Sequence, residues 1–301
     1  MLPAQSPTAH LPKAALAGVT LVGIALSLFG LYTSGIGLMN IFHQRSIHLA
    51  LILVMVFLLF PVFGKGRRRG ALGWLIDLAF MAGAAYSGFY LSYHLDEIFG
   101  RAGFWAASDI TAGIVAVVTL LEASRRVVGL AITLIGGVFI AYAMAGPRGG
   151  LPFLADYLPG ILAHRGYSVE RIVAQLYLGQ EGIYGVPLGV AATYVFIFIL
   201  FGAFLEVTGA GKFFIDLAYA AAGRSRGGPA KAAVIASAFM GSISGSAIAN
   251  VVTSGAFTIP LMKKLGYKPE EAGGVEAAAS TGGQIMPPIM GAGAFLIAEY
   301  T

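Results

Sequence analysis

The sequence predicts an all-α integral membrane protein: a multi-span helical bundle containing a re-entrant helical hairpin and an interrupted helix. Three observations predict it. Mean hydropathy is +0.81, with 57% hydrophobic residues and 11% charged ones, where a soluble domain carries roughly 25% charge. Apolar runs close to the ~20 residues that cross a bilayer recur along the chain. Two stretches inside this background, Met240–Ala256 (MGSISGSAIANVVTSGA) and Ser280–Gly293 (STGGQIMPPIMGAG), are instead small, polar and glycine-rich. A hydrocarbon interior has no water for free backbone N–H and C=O groups, so broken backbone there is buried in protein or lines a polar cavity. Paired interruptions of this kind point to a transporter's substrate site.

Taken in order, candidate spans cover 14–39, 47–63, 72–92, 104–122, 127–145 and 187–207. The polar, proline-containing Met1–Pro12 and the long apolar run after it read as an uncleaved first span, not a cleaved signal peptide. Glu122–Arg126 (EASRR) is the first sharp charged break after four spans, and a module boundary is expected there. It divides the chain into a four-helix membrane module (1–124) and a second part (125–301). Residues 146–186 form an outer loop with an amphipathic segment, Tyr167–Gly185, expected to lie at the membrane interface. Residues 211–222, with Lys212 and Asp216 on one side, read as an amphipathic helix along the inner surface. The chain ends inside an apolar run (AFLIAEYT), as the front part of a longer protein would.

Lysine and arginine placement orients the spans. With the N-terminus in the cytoplasm, Lys13, Lys65, Arg67, Arg68, Arg69, Arg125, Arg126, Lys212, Arg224, Arg226, Lys231, Lys263, Lys264 and Lys268 lie inside. Arg45, Arg101, Arg148, Arg165 and Arg171 lie outside. This distribution over separate loops accounts for the net charge of +5 without a nucleic-acid surface. It also puts both ends of 231–262 in the cytoplasm, because Arg224 and Arg226 precede that segment and Lys263 and Lys264 follow it. The segment therefore reads as a hairpin that enters, turns and returns, with about ten apolar residues on each side of its break. The segment from Ala272 then crosses outward and is interrupted at Thr281–Pro288.

The first break offers Ser242, Ser244, Gly245, Ser246 and Asn250. The second offers Thr281, Gly282, Gly283, Gln284, Pro287 and Pro288. Neutral side-chain oxygens with unwound carbonyls suit Na⁺, whereas Ca²⁺ normally takes carboxylates, and neither break contains one. Asp77 and Asp109 sit near span ends and are expected to form structural pairs near the membrane surface. With no cysteine, five scattered histidines, and no HExxH, GxSxG or Walker A motif, an enzyme is not expected, and neither is an ATP-driven pump.

Four blocks carry a family resemblance: LGVAATYVFIFILFGAFLEVTGAGKFFIDLA (188–218), GRSRGGPAKAAVIASA (223–238), GSISGSAIANVVTSGAFTIPLMKKLGY (241–267) and VEAAASTGGQIMPPIMGAGAFLIAEY (275–300). The chain resembles the tripartite ATP-independent periplasmic (TRAP) transporters. The closest likeness is to fused permeases in which small and large membrane subunits share one chain and work with a TAXI-type binding protein. The resemblance is strong from about Glu122 onward.

It implies an elevator-type, Na⁺-coupled secondary transporter in the cytoplasmic membrane of a bacterium or archaeon. A periplasmic solute-binding protein would deliver an organic acid anion, such as a C4-dicarboxylate. A second hairpin and second ion site would lie outside this chain. Carried over by position, Ser242, Gly245, Ser246, Asn250, Thr281, Gly282, Gly283 and Pro287 surround the first Na⁺ site, and Ser246, Asn250 and Gln284 also face the substrate. Na⁺ is the coupling ion and no other cofactor is expected. The alternatives are a proton-coupled carrier or a channel-like membrane protein of another family.

Overall fold

The computed structural model describes residues 11–37, 39–63, 70–101 and 103–301. Among them the chain is helical throughout, without strands beyond one isolated bridge between Ala145 and Leu151. Five helices are long and apolar enough to cross a membrane, so the expected fold class holds. The basic loop residues Lys65, Arg67, Arg68 and Arg69 lie outside the described residues. The chain forms two compact units, through Gly189 and from Val190 onward.

The first unit contains α1 (Lys13–Gly35), α2 (Ile41–Leu59), α3 (Ala71–Tyr93), the short α4 (Leu95–Gly100), α5 (Ala107–Val127), α6 (Leu130–Met144) and α7 (Val169–Tyr177). Helices α2 and α3 approach closely at Gly88, where a Cβ would come within 2.5 Å of the Ala50 Cβ and 2.9 Å of the Ser46 carbonyl oxygen. Small residues allow such contact where lipid offers helices no hydrophobic reason to associate. One core gathers Phe42, Leu91, Ile98, Ala112, Val173 and Tyr177. A second gathers Leu53, Phe57, Ala84 and Ala123.

Asp77 and Asp109 are paired as expected, and both are fully buried. Asp109 accepts from Tyr90 Oη (2.8 Å), from the Ala106 N–H (2.8 Å) and from Arg101. Asp77 accepts from Arg126 at 2.5 Å, and Arg126 also donates to Glu122 and to the Phe60 carbonyl while lying over the Phe57 and Phe80 rings. The charged break at Glu122–Arg126 thus falls inside α5, where its second arginine ties α5 to α3 and to the end of α2.

Two stretches of this unit differ from expectation. The fifth span is a helix of only 15 residues, about 22 Å long against a hydrocarbon core of ~30 Å. Gly129, at φ +114°, sets its start. The outer-loop helix α7 does not merely rest at an interface. Val173 and Tyr177 are buried, Gly113 makes room for both, and Tyr177 Oη donates to the Ser87 carbonyl of α3.

The second unit begins in a helix that starts as α8 (Val186–Val190), widens into a π turn at Ala191–Val195 and continues as α9 (Phe196–Val207). There follow α10 (Ala210–Ala222), α11 (Gly228–Ser244), α12 (Ala247–Lys264), α13 (Pro269–Thr281) and α14 (Ala292–Tyr300). Lys212 and Asp216 on α10 are exposed, as expected, while Ala218 and Ala222 are buried.

Removing the arginine of the buried pair should leave Asp77 as an uncompensated charge. Arg126→Leu is expected to destabilise the first unit by about 3–5 kcal/mol, read as a lower midpoint of thermal unfolding in detergent. Arg125→Leu, at a half-exposed position that also pairs with Glu122, should cost roughly 0–1 kcal/mol.

Candidate functional site

Helices α11 and α12 are two antiparallel arms joined by Gly245 and Ser246 alone. Gly245 has φ +59°, the left-handed conformation that glycine adopts without steric cost. Ser246 is the N-cap of α12, its Oγ accepting from the Ala249 N–H at 3.3 Å. The arms have 17 and 18 residues, longer than the ten apolar residues expected on each side. The small residues at the hairpin base and the lysines at its exit are helical too.

The second break runs from a 3-10 turn at Gly282–Gln284 through an irregular stretch to α14. Its Pro287–Pro288 peptide is cis.

The two breaks cross backbone to backbone. A Cβ on Gly241 would come within 2.4 Å of Gly283 Cα, and one on Gly283 within 2.7 Å of Gly241 Cα. A Cβ on Gly245 would meet the Ile289 and Met290 carbonyl oxygens at 2.4 and 2.7 Å. The Ile289 N–H donates to the Ser242 carbonyl (3.1 Å), and the Gly291 N–H donates to that of Gln284 (2.7 Å). From the other side, Gly202 of α9 meets the Ile243 carbonyl, a Cβ there falling 2.4 Å away.

This crossing brings the C-terminal ends of α11 and α13 together, and beside them the N-terminal ends of α12 and α14. Helix C-termini carry partial negative charge and N-termini partial positive charge. One side of the crossing therefore suits a cation and the other an anion. The hydroxyls of Ser242 and Thr281 donate to helix carbonyls, of Phe239 (2.7 Å) and Ala277 (2.9 Å), which leaves their lone pairs for a further ligand.

Of the residues singled out in the sequence, Ser242, Gly245, Ser246, Gly282 and Gly283 lie at or next to the crossing. Thr281, Gln284 and Pro287 are on the exposed side of the second break. Asn250 is different. It is fully buried, with Nδ2 donating to the Ser237 carbonyl (2.8 Å) and to Ser237 Oγ (3.0 Å). It stands against the glycine contact, 3.1–3.2 Å from the Cβ that Gly241 or Gly283 would carry.

Behind Asn250 is a buried polar layer that sequence reading missed. Ser237, Asn250, Ser254, Thr258, Glu276 and Ser280 are all fully buried. Glu276 accepts from Ser254 Oγ and Thr258 Oγ1, and from Ser280 Oγ at 3.1 Å. The recoverable signal is spacing: Asn250, Ser254 and Thr258 recur every four residues, on one face of α12, as do Glu276 and Ser280 on α13.

A helical hairpin seated on an interrupted helix, in a chain with five helices long and apolar enough to cross a membrane, defines a polytopic helical membrane protein. The chain belongs to the family described as "Tripartite ATP-independent periplasmic transporter, DctM component", whose model matches residues 115–301. Among curated relatives it is similar to the C4-dicarboxylate TRAP transporter large permease protein DctM of Vibrio cholerae, 35% identical over 40% of this chain and 25% of that one. The protein of the same name from Pseudomonas aeruginosa is 38% identical over 30% of this chain and 21% of its own. The 2,3-diketo-L-gulonate TRAP transporter large permease protein YiaN of Escherichia coli is 32% identical over the same shares. The chain spans about a quarter or less of the length of these relatives. No solved structure matches it significantly.

The glycine contact predicts unequal tolerance of alanine. Gly241→Ala and Gly283→Ala should each destabilise the protein by about 1–3 kcal/mol through overpacking. Gly282→Ala, whose Cβ would meet nothing within 4 Å, should stay within roughly 0.5 kcal/mol. Thermal unfolding of the three purified variants compares them directly.

Proposed function

We propose that this chain belongs to the permease of a TRAP transporter that takes up an organic acid anion by Na⁺-coupled secondary transport. The observation that carries the reading is the crossing of the two breaks. Two helix C-termini and the hydroxyls of Ser242 and Thr281 gather beside two helix N-termini, so a cation and a carboxylate find opposite partial charges side by side. A site of this composition needs no fixed positive charge to accept an anion.

In this reading Ser242, Gly245, Ser246, Asn250, Thr281, Gly282, Gly283 and Pro287 surround the first Na⁺ site through hydroxyls, carbonyls and backbone shape. Ser246, Asn250 and Gln284 face the substrate. The printed names of the relatives, with their dicarboxylate and diketo-gulonate, support a small organic acid as cargo. A periplasmic solute-binding protein delivers it, and the permease sits in the cytoplasmic membrane with its N-terminus inside. Residues 1–124 serve as the small-subunit-like scaffold of a fused, TAXI-type permease. Residues 125–301 supply the start of the large subunit, in which the hairpin moves as part of an elevator.

Reconstitution of the full-length permease with its loaded binding protein tests this. Uptake should require an inward Na⁺ gradient. Asn250→Leu should abolish it while leaving the protein folded and inserted. Uptake indifferent to Na⁺ but lost with the proton gradient would overturn the Na⁺ assignment, and normal uptake by Asn250→Leu would remove Asn250 from the site.

A further inference from the structure

Among the described residues, the second unit buries one carboxyl completely, that of Glu276. No lysine, arginine or histidine among them pairs with it. The buried carboxyls of the first unit are treated differently: Asp77 has Arg126 and Asp109 has Arg101. Glu276 is met only by hydroxyls, those of Ser254, Thr258 and Ser280. Tyr219 of α10 carries another buried polar group of this unit. Its phenol is pushed up, first by burial and then by the charge of Glu276, and its buried hydroxyl has no hydrogen-bond partner.

Counting protons gives the layer a direction. Each hydroxyl has one to donate. Asn250 Nδ2 donates to Ser237 Oγ, and Ser237 Oγ lies 3.0 Å from Ser280 Oγ. Ser237 therefore turns its proton to Ser280, and Ser280 turns its own to Glu276. Ser254 has acceptors in the Glu276 carboxylate, the Asn250 carbonyl and Asn250 Oδ1 (3.3 Å). A charged acceptor makes the stronger bond, so the proton goes to Glu276. The lone pairs of Asn250 Oδ1 are then left without that donor.

We propose that Glu276 is a positioning residue for the coupling cation: a carboxylate behind the crossing whose charge favours Na⁺ at the breaks. This rests on the sodium reading above. An isolated buried charge is costly, and a cation bound at the breaks would relieve that cost. Neutralising Glu276 removes the attraction and so weakens the cation. Truncating Ser254 leaves the charge in place.

The test uses the full-length permease and two readouts. The first is the Na⁺ concentration that half-saturates uptake from the loaded binding protein. The second is the Na⁺ concentration that half-saturates thermal stabilisation of the purified protein, which needs no transport. Glu276→Gln is expected to raise both by on the order of tenfold. Its KM for the loaded binding protein at saturating Na⁺ should be unchanged. Glu276→Asp, which keeps the charge, should recover most of the shift, and Ser254→Ala should stay within about twofold of wild type. An unchanged Na⁺ requirement in Glu276→Gln overturns the inference alone. Equal shifts in Glu276→Gln and Ser254→Ala also overturn it, because the layer is then merely structural. A wild-type protein that neither needs Na⁺ for uptake nor is stabilised by it overturns the sodium reading and this inference together.

Discussion

A helix interrupted within an apolar environment exposes backbone N–H and C=O groups that water cannot reach, and each must find a partner. In the second unit the partners are supplied by a second interruption. The Ser242 carbonyl, freed where α11 ends, accepts from the Ile289 N–H in the stretch that α13 leaves unwound. Neither break is readily accommodated without the other. Gly241, Gly245 and Gly283 follow from this constraint. The backbones can exchange that hydrogen bond only if they come close, and a Cβ at any of the three would fall 2.4–2.7 Å from the opposing chain. Gly202 extends the same requirement to α9, against the Ile243 carbonyl.

Much of this was legible in the sequence, because hydropathy and loop charge are strong and additive signals. Arginines before the hairpin and lysines after it place both ends of one segment on one side, and the structure turns that segment at Gly245. The breaks were legible because serine and glycine are conspicuous against leucine and valine. Packing between distant residues was less so. Tyr177 reads as the apolar face of a loop helix, and only Gly113, more than sixty positions away, opens the space that buries it. Asp77 reads as a terminal charge until Arg126 is seen across from it. Glu276 gives no periodic signal of its own in an alanine-rich helix, and two of its three donors lie on α12. The four-residue spacing of Asn250, Ser254 and Thr258 was visible, but it acquires meaning only with an acceptor opposite. The module division at Glu122–Arg126 rests on span count and charge, and the compact units, which part at Gly189, follow packing.

The two units handle buried charge in opposite ways. In the first, Arg126 serves Asp77, Glu122 and the Phe60 carbonyl and lies over two aromatic rings. Such a cluster is closed: every charge has its counter-charge, and losing one member strands the rest. That suits elements meant to keep one arrangement. In the second unit the carboxylate is surrounded by hydroxyls that can redirect their protons, and its hydrogen bonds run on through Ser280 and Ser237 to Asn250 at the break. The Glu276 carboxyl there is satisfied by hydrogen bonding alone.

On the sodium reading proposed above, a carboxylate without a fixed partner fits a site whose counter-charge comes and goes. A permanently paired Glu276 would give an arriving cation nothing to neutralise, and an apolar residue in its place would avoid the burial penalty altogether. The hydrogen-bonded chain of Ser254, Glu276, Ser280, Ser237 and Asn250 also joins α11, α12 and α13 side chain to side chain, and each member lies on a helix that ends or begins at the crossing. A change at Glu276 can therefore reach Asn250 along that chain without altering a single backbone contact between the glycines. The rigid part of the site is set by Cα–Cα proximity, and the responsive part by hydroxyl rotation. On the sodium reading proposed above, separating them would let a bound cation be registered inside a hairpin that keeps its shape.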